Sequence, residues 1–442
     1  MRLLFLFITS FFCFYSYGQS KKDLEKEIDS YMQTVATKDG FTGSLVVKHR
    51  GLPVIHKGYG LADRQSLLPN TAETIHNLGS TGAIFTEISI LILQDRKKLY
   101  ISDPICKYLP DCPATWNKIT IRHLLDQKSG LKDYLIQPGI EKQLGKMVEK
   151  KEMLARFAAD TVEFSAGEKF NASATGYYLL GLIVEKVSGT TLSSFVQKNI
   201  FTTLGMKQTM LLDKGQIKKS AIGYLLEKDS LRPAPAVHPS LMFGYGNLYG
   251  TTGDILLWES SLYNYKLLSP SSLQQMEART AAAGFGDKEN KMFGHTFYRY
   301  FKGTWGHRMH MLRFPHDSTV ILLLTNNNST KQDKFMRDIA TMIYDTYFPP
   351  KEIKEVAVDP SILQRYTGNY VFAPGREVAI TIENSKLHMQ GTNRPRRELV
   401  AVSDSKFYIK GSEVYIEFKL KDNVANELIL HEISSTITAV RK

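Results

Sequence analysis

The run from Thr81 to Lys98 constrains this chain more than any other, because it reads as a helix with almost no polar face. Ile84, Phe85, Ile88, Ile90, Leu91, Ile92 and Leu93 would point to nearly every side of it. A helix that is apolar all round belongs in the middle of a large core. The rest of the chain must therefore cover it from more than one direction. Directly before it stands Ser80. A serine at a helix N-terminus sits on the positive end of the helix dipole, where a developing alkoxide or oxyanion is stabilised.

The elements on either side follow a coherent order. Asp23 to Ala36 reads as an amphipathic helix, and Gly40 to Gly60 as a hairpin turning at Arg50-Gly51. Gly176 to Gly189 is a strongly apolar helix with Gly189 placed as its C-terminal cap. Met292 to Asn326 is strand-rich, returns to the sheet and ends in the run VILLLTN. After Pro350 the pattern changes. Val378, Ile380 and Ile382 alternate, as do Val414, Ile416, Phe418 and Leu420, with turn clusters at Glu383 to Lys386 and Lys421 to Asn423. Period-two alternation with regular turns predicts a small antiparallel β domain. The expected organisation is an export signal over 1–18, a first domain over 19–350 and the β domain over 351–442.

The 442 residues suffice for two domains and a large core. A formal net charge of +12 would attract acidic surfaces such as anionic lipid heads or envelope polymers, but a scattered solvated surface is the simpler account of it. There is no basic block or RNA-binding signature, so nucleic acid is not an expected partner, and no spacing of ligands points to a metal or cofactor. Arg2, the apolar stretch Leu3 to Phe14 and the small residues Ser16 and Gly18 before Gln19 form a secretory signal pattern. Cys13 lacks the small residue that a lipoprotein signal needs before its cysteine. No later segment is long and apolar enough to span a membrane. The expected location is periplasmic or secreted. Cys106 and Cys112 would there form either a short-loop disulfide or two separate thiols.

Three segments carry a family resemblance. The stretch IHNLGSTGAIFTEISILILQDRKKLYISDPICKYLP around Ser80, ITIRHLLDQKSGLKDY from Ile119, and A-S-A-T-G-Y-Y-L-L-G from Ala172 closely resemble the serine β-lactamase and penicillin-binding-protein superfamily. The segment from Gly246 to Met276 resembles the family's Gly-rich turn followed by T-x-x-D and a helix, and the C-terminal region looks like its accessory β domain. The resemblance spans roughly Lys22 to Tyr347 and implies an α+β fold, with a mostly antiparallel sheet flanked by helices, a helical lobe and a pocket between them. It implies Ser80 as nucleophile. It also implies that Ala83 replaces the lysine of S-x-x-K, Ala172 the tyrosine and Ala174 the asparagine of the second motif. For the third motif, Phe301-Lys302-Gly303 fits the H-x-G slot, leaving Gly303 as its glycine; the other alignment makes His307 the motif histidine.

The family chemistry needs a base for the serine proton, a group to pass it to the leaving amine, and an oxyanion hole. Losing a positioned base costs roughly 10²- to 10⁴-fold in rate. Alanines at these three positions point to a vestigial pocket and a non-catalytic exported protein that binds a peptide, a cell-wall fragment or a partner protein. Two alternatives stand beside it. One is an active serine hydrolase whose base comes from elsewhere, with Glu87, Tyr177, His295 and His307 as the nearest candidates. The other is an envelope scaffold. Ser129 to Lys132 and Ser403 to Lys406 match S-x-x-K, and Tyr245-Gly246-Asn247 matches Y-x-N, and each reads as coincidence. The sequence leaves the oligomeric state open.

Overall fold

A computed structural model describes residues 21–215, 217, 219–227, 230–262, 266–282, 291–292, 295–328, 331–344, 355–373, 376–391, 396–410, 415–431 and 436–442. The signal segment with Cys13, Val414, and the domain boundary at Pro350 lie outside the described residues. The chain divides into two compact units, residues 1–286 with 298–344 and residues 287–297 with 345–442.

In the first unit, helix α1 (Lys21–Lys38) precedes strands β1 (Gly43–His49) and β2 (Leu52–Tyr59). Strand β3 (His76–Gly79) leads into helix α2 (Gly82–Asp95), and helix α3 (Ala174–Ser188) follows after short helical turns. Strands β4 (Met210–Leu211) and β5 (Leu248–Gly250), helices α4 (Thr252–Ser261) and α5 (Pro270–Ala282), strands β6 (Tyr298–Thr304), β7 (His307–Phe314) and β8 (Thr319–Thr325), and helix α6 (Gln332–Tyr344) complete it. Among the described residues, five strands form an antiparallel sheet in the order β6-β7-β8-β1-β2. The small sheet β3-β5-β4 carries the chain into α2.

Strand β8, TVILLLT, is buried at every position because helices cover both sheet faces. Val320, Leu322 and Leu324 join the core around α2, while α6 packs on the same strand from the other side. The sequence places α2 between Thr81 and Lys98, and the helix observed is slightly shorter. Of its 14 residues, Gly82, Ala83, Phe85 to Glu87 and Ile88 to Leu93 are buried. Phe85 is fully buried between Phe201, at a ring distance of 5.2 Å, and Trp258, at 5.7 Å. Cys106 and Cys112 are joined by a disulfide, which decides between the two readings of that pair. The expected strand-rich return from Met292 holds only from Tyr298 onward. Residues 291–292 and 295–296 instead pair with each other as a ribbon grouped with the second unit.

The second unit contains a closed antiparallel barrel of eight strands: β9 (Gly368–Ala373), β10 (Arg376–Glu383), β11 (Lys386–Gly391), β12 (Arg397–Ala401), β13 (Lys406–Ile409), β14 (Tyr415–Lys421), β15 (Val424–His431) and β16 (Thr436–Arg441). Its interior is filled by side chains, as the girth of an eight-stranded barrel allows. Tyr366 stacks on Phe418 with ring centroids 4.4 Å apart, and Phe407, Tyr370 and Leu428 pack with them. The predicted turns close through positive φ at Asn384 and Ser385, and at Asp422 and Asn423, the left-handed pair that two-residue hairpins require. Leu420 breaks the expected alternation. A register shift between Lys419 and Leu420 turns its side chain outward, where it is 43% exposed.

Truncating Phe85 tests the central role of α2. Phe85→Ala is expected to destabilise the first unit by about 3–5 kcal/mol, the usual cost of emptying a buried aromatic site. Urea unfolding followed by near-ultraviolet circular dichroism measures it, and a change under about 1 kcal/mol would mean that the helix is not the centre of the core.

Candidate active site

Ser80 lies in the turn between β3 and α2, and its approach depends on a glycine. Gly79 adopts a φ of +51°, and a Cβ there would stand 2.6 Å from the carbonyl oxygen of Gly303. The two strands can therefore meet, and Ser80 Oγ donates to the Gly303 carbonyl at 3.4 Å. The Ala83 N–H donates to the Ser80 carbonyl at 3.3 Å. Ser80, Ala83 and Glu87 follow one face of the helical path at spacings of three and four. Ala83 is buried, so its methyl group is packed rather than left in an open gap.

A second wall comes from the loop before β5. Thr86 Oγ1 donates to the Gly244 carbonyl at 2.7 Å, which fastens the loop to α2. Gly82 has no side chain where the Tyr245 carbonyl passes, 3.0 Å from the position of a Cβ. This brings the Tyr245 phenol near the Ser80 hydroxyl and 6.0 Å, ring to ring, from Tyr177. Burial raises the Tyr245 pKa above the ordinary phenol value, the charge of Asp133 adds to the rise, and the Ser80 hydroxyl opposes it. Tyr245 is a neutral phenol at physiological pH. Of the Y-x-N match, Tyr245 stands near Ser80, while Asn247 faces elsewhere and donates to the Leu212 carbonyl at 2.6 Å.

Ala174 begins α3, and its N–H donates to Asp133 Oδ1 at 3.3 Å. Ala172 is exposed just before the helix, and the Ser173 N–H between them donates to Gln127 at 2.6 Å. Methyl groups therefore stand at both positions. Farther along α2, Glu87 is paired with Arg279 at 2.9 Å. Burial raises the Glu87 pKa and the Arg279 charge opposes it. Lys302 on β6 shares a sheet face with the buried Tyr300 ring two residues away. Burial pushes its amine down to about 8, against the pull of Glu87.

The bases considered from sequence stand as follows. Glu87 is committed to Arg279. Burial, and then the Glu87 charge, raise the pKa of Tyr177, so it also stays a neutral phenol. His307 is fully enclosed beside His76, 6.2 Å between rings, and packs on Gly223. Burial and the Arg308 charge push it down to about 3, so it is neutral. His295 lies on the ribbon of the second unit. The S-x-x-K matches are turns: Ser129 Oγ accepts from the Leu131 N–H and Ser403 Oγ from the Lys406 N–H. Beside Ser80, a cavity of about 470 Å3 is lined by Leu135, Met242, Tyr245, Phe301, Trp305 and Arg308, with Gly303. Sequence reasoning set Tyr245 aside and missed Arg308. The Gly-rich turn Phe243 to Gly250 was the available signal for the first, and Arg308 gave none.

Residues 27–344 match the Beta-lactamase family, and residues 352–440 match DUF3471, a domain of unknown function. The chain belongs to the Beta-lactamase family. A penicillin-binding protein of Bacillus subtilis is 26% identical over 456 residues, covering 95% of this chain and 99% of that protein. The teichoic acid D-alanine hydrolase of Staphylococcus aureus is 28% identical over 257 residues, covering 57% of this chain and 60% of the hydrolase. Among solved structures, the octameric penicillin-binding protein homologue from Pyrococcus abyssi superimposes with a TM-score of 0.63 at 19% identity, covering 94% of this chain and 99% of that one. The D-amino acid amidase from Ochrobactrum anthropi gives 0.60 at 20% identity, covering 73% and 99%. Both share the fold of this Beta-lactamase family member.

The state of Lys302 can be read from stability. Its folded pKa of about 8 lies below the ordinary 10.5, so the unfolded chain binds more protons between those values and stability rises with pH across that window. Lys302→Met should remove this contribution. Urea midpoints of both proteins between pH 7 and 10.5 are expected to converge or cross as pH rises, and parallel profiles would show that the amine is not desolvated.

Proposed function

We propose that this chain is a non-catalytic binding protein built on a serine-hydrolase fold, whose cavity beside Ser80 holds a ligand without turning it over. The observation that supports this reading is the direction of the Ser80 hydroxyl. It donates to a main-chain carbonyl, which cannot take up a proton, and its other neighbour is a phenol held neutral by burial. A helix N-terminus alone contributes about 0.3–1 kcal/mol, rarely ~2, far less than a positioned base supplies. Export to the periplasm or beyond is part of the proposal, supported by the Cys106–Cys112 disulfide and by penicillin-binding and teichoic acid relatives. Among the described residues, no single helix is long and apolar enough to cross a membrane.

The second reading, an active hydrolase, draws on Lys302. It stands one residue before Gly303 and carries an amine that is partly neutral near pH 8. One experiment separates the two. The mature protein is incubated with a fluorophosphonate and with a fluorescent penicillin, and Ser80 adducts are sought by peptide mass spectrometry. No adduct within an hour is expected. Stoichiometric labelling within minutes, abolished by Ser80→Ala, would establish the hydrolase instead.

Ala83→Lys should leave hydrolysis of a chromogenic β-lactam at background, because groups of this kind act as a unit and a new buried ammonium without partners is costly. Recovery well above background would show that the remaining site was competent.

A further inference from the structure

The end of α2 opposite Ser80 carries three exposed cations in a row, Arg96, Lys97 and Lys98, with the exposed Tyr100 just beyond. Arg96 is the C-cap of the helix. Lys97 follows in the left-handed region, at a φ of +57°. Its N–H donates to the Gln94 carbonyl at 2.8 Å, and the Lys98 N–H donates to the Leu93 carbonyl at 2.9 Å. Glycine or asparagine fills such a position at lower cost. A lysine there keeps a charge where the backbone favours a residue without one. A cation in the last turn complements the helix dipole, but a further one comes from a separate element. The Arg96 guanidinium donates to Asn199 Oδ1 at 2.8 Å and lies 5.9 Å from the centre of the Phe195 ring. These contacts bring the helical turn Gln197–Phe201, with the exposed Lys198, beside the end of α2. None of Lys97, Lys98 and Lys198 pairs with a carboxylate among the described residues. The acidic residues flanking the run in sequence have other partners. Asp95 accepts from the Ser269 N–H at 2.9 Å, the Ser269 hydroxyl at 2.8 Å and the Ser272 hydroxyl at 2.7 Å. Asp103 accepts from the Tyr100 N–H at 2.9 Å and from Lys107 at 3.1 Å.

We infer that Arg96, Lys97, Lys98 and Lys198 form a docking surface for an anionic lipid bilayer, with Tyr100 seated in its interfacial layer. Clustered lysines and arginines beside a membrane recognise anionic headgroups. Tyrosine suits the layer between water and hydrocarbon because its ring is apolar and its hydroxyl polar. Tyr100 is 55% exposed, and its pairing with the cations favours a bilayer over a soluble polyanion, for which charge alone would serve. Helix α2 has 14 residues, so the cations stand about 20 Å along its axis from the turn that holds Ser80. A bilayer bound here leaves the Ser80 end of the helix on the side away from the lipid. The docking surface is independent of whether Ser80 is catalytic.

The mature full chain is mixed with vesicles of phosphatidylcholine alone, or of phosphatidylcholine and phosphatidylglycerol in equal parts, and the bound fraction is measured by co-sedimentation. Binding to the anionic vesicles is expected to be at least about tenfold tighter than to the neutral ones, and to weaken as salt is raised. Each lysine removed should weaken it about fivefold. The variants are Lys97→Asn, whose side chain tolerates the left-handed backbone, Lys98→Gln and Lys198→Gln. Tyr100→Ser should weaken binding without changing its salt dependence. The double variant Lys142→Gln with Lys146→Gln removes two exposed lysines outside the patch and should bind like wild type. The inference is overturned if the anionic vesicles bind no better than the neutral ones, or if Tyr100→Ser binds like wild type. It is also overturned if the Lys142 and Lys146 variant loses as much as the Lys97 and Lys98 pair, because binding then follows net charge alone. It fails equally if these lysines govern binding of inorganic polyphosphate or single-stranded DNA and not of the vesicles. Should a variant at the end of α2 fail to fold, Lys198→Gln, on a separate element, and the wild-type comparison of vesicles decide.

Discussion

Helix α2 has no face suited to water, and the first unit is organised around that fact. Ile90, Leu91, Phe85 and Ile88 are essentially inaccessible, and burying side chains of this size is favourable by about 1.5–3 kcal/mol each. The sheet covers the helix on one side, with Val320, Leu322 and Leu324 in the shared core. Helices α3 and α5 pack on it as well. Because Ser80 lies in the turn that starts this helix, the position of the candidate site is a by-product of core formation. It needs no catalytic residue to hold it in place.

That separation lets the fold stand whatever residues occupy the site. Ala83 and Ala174 are buried and packed, and the loop carrying Tyr245 is fastened by Thr86 and Gly244 rather than by any catalytic group. Scaffold and chemistry are distinct selections of residues on one fold. The Glu87–Arg279 pair shows what the interior can tolerate: two charges removed from water, acceptable because each has the other as a close hydrogen-bonded partner. Arg308 differs, since its bonds run to main-chain carbonyls and no carboxylate among the described residues pairs with it.

The second unit solves another problem. A sheet of short strands exposes unpaired edges, and closing β16 onto β9 removes them. The hairpin turns at Asn384-Ser385 and Asp422-Asn423 fit the twist of the strands they join. The interior is occupied by Tyr366, Phe407 and Phe418, so the barrel is a packed body rather than a container.

Patterns local in the chain were legible before any coordinates. The all-round apolarity of Ile84 to Leu93 identified the central helix, the alternation Val378-Ile380 and Ile416-Phe418 the barrel strands, and Gly189 the end of α3. Each depends only on a residue's spacing from its neighbours. The family resemblance pointed to Ser80, Ala83 and Ala174, and the structure places Ser80 just before α2, Ala83 within it and Ala174 at the start of α3. Tertiary structure alone decided what came from far apart in sequence. Tyr245 reaches Ser80 across 165 residues (245 − 80) through a loop held by Thr86, and Gly303 receives the serine hydroxyl because Gly79 permits close approach. Arg308 becomes a pocket cation only because Gly303 stands opposite it in register. Leu420 points outward only because a bulge interrupts its strand. Periodicity fixes which face of an element is apolar, whereas contacts between elements depend on strand register and loop paths, and no local pattern encodes those.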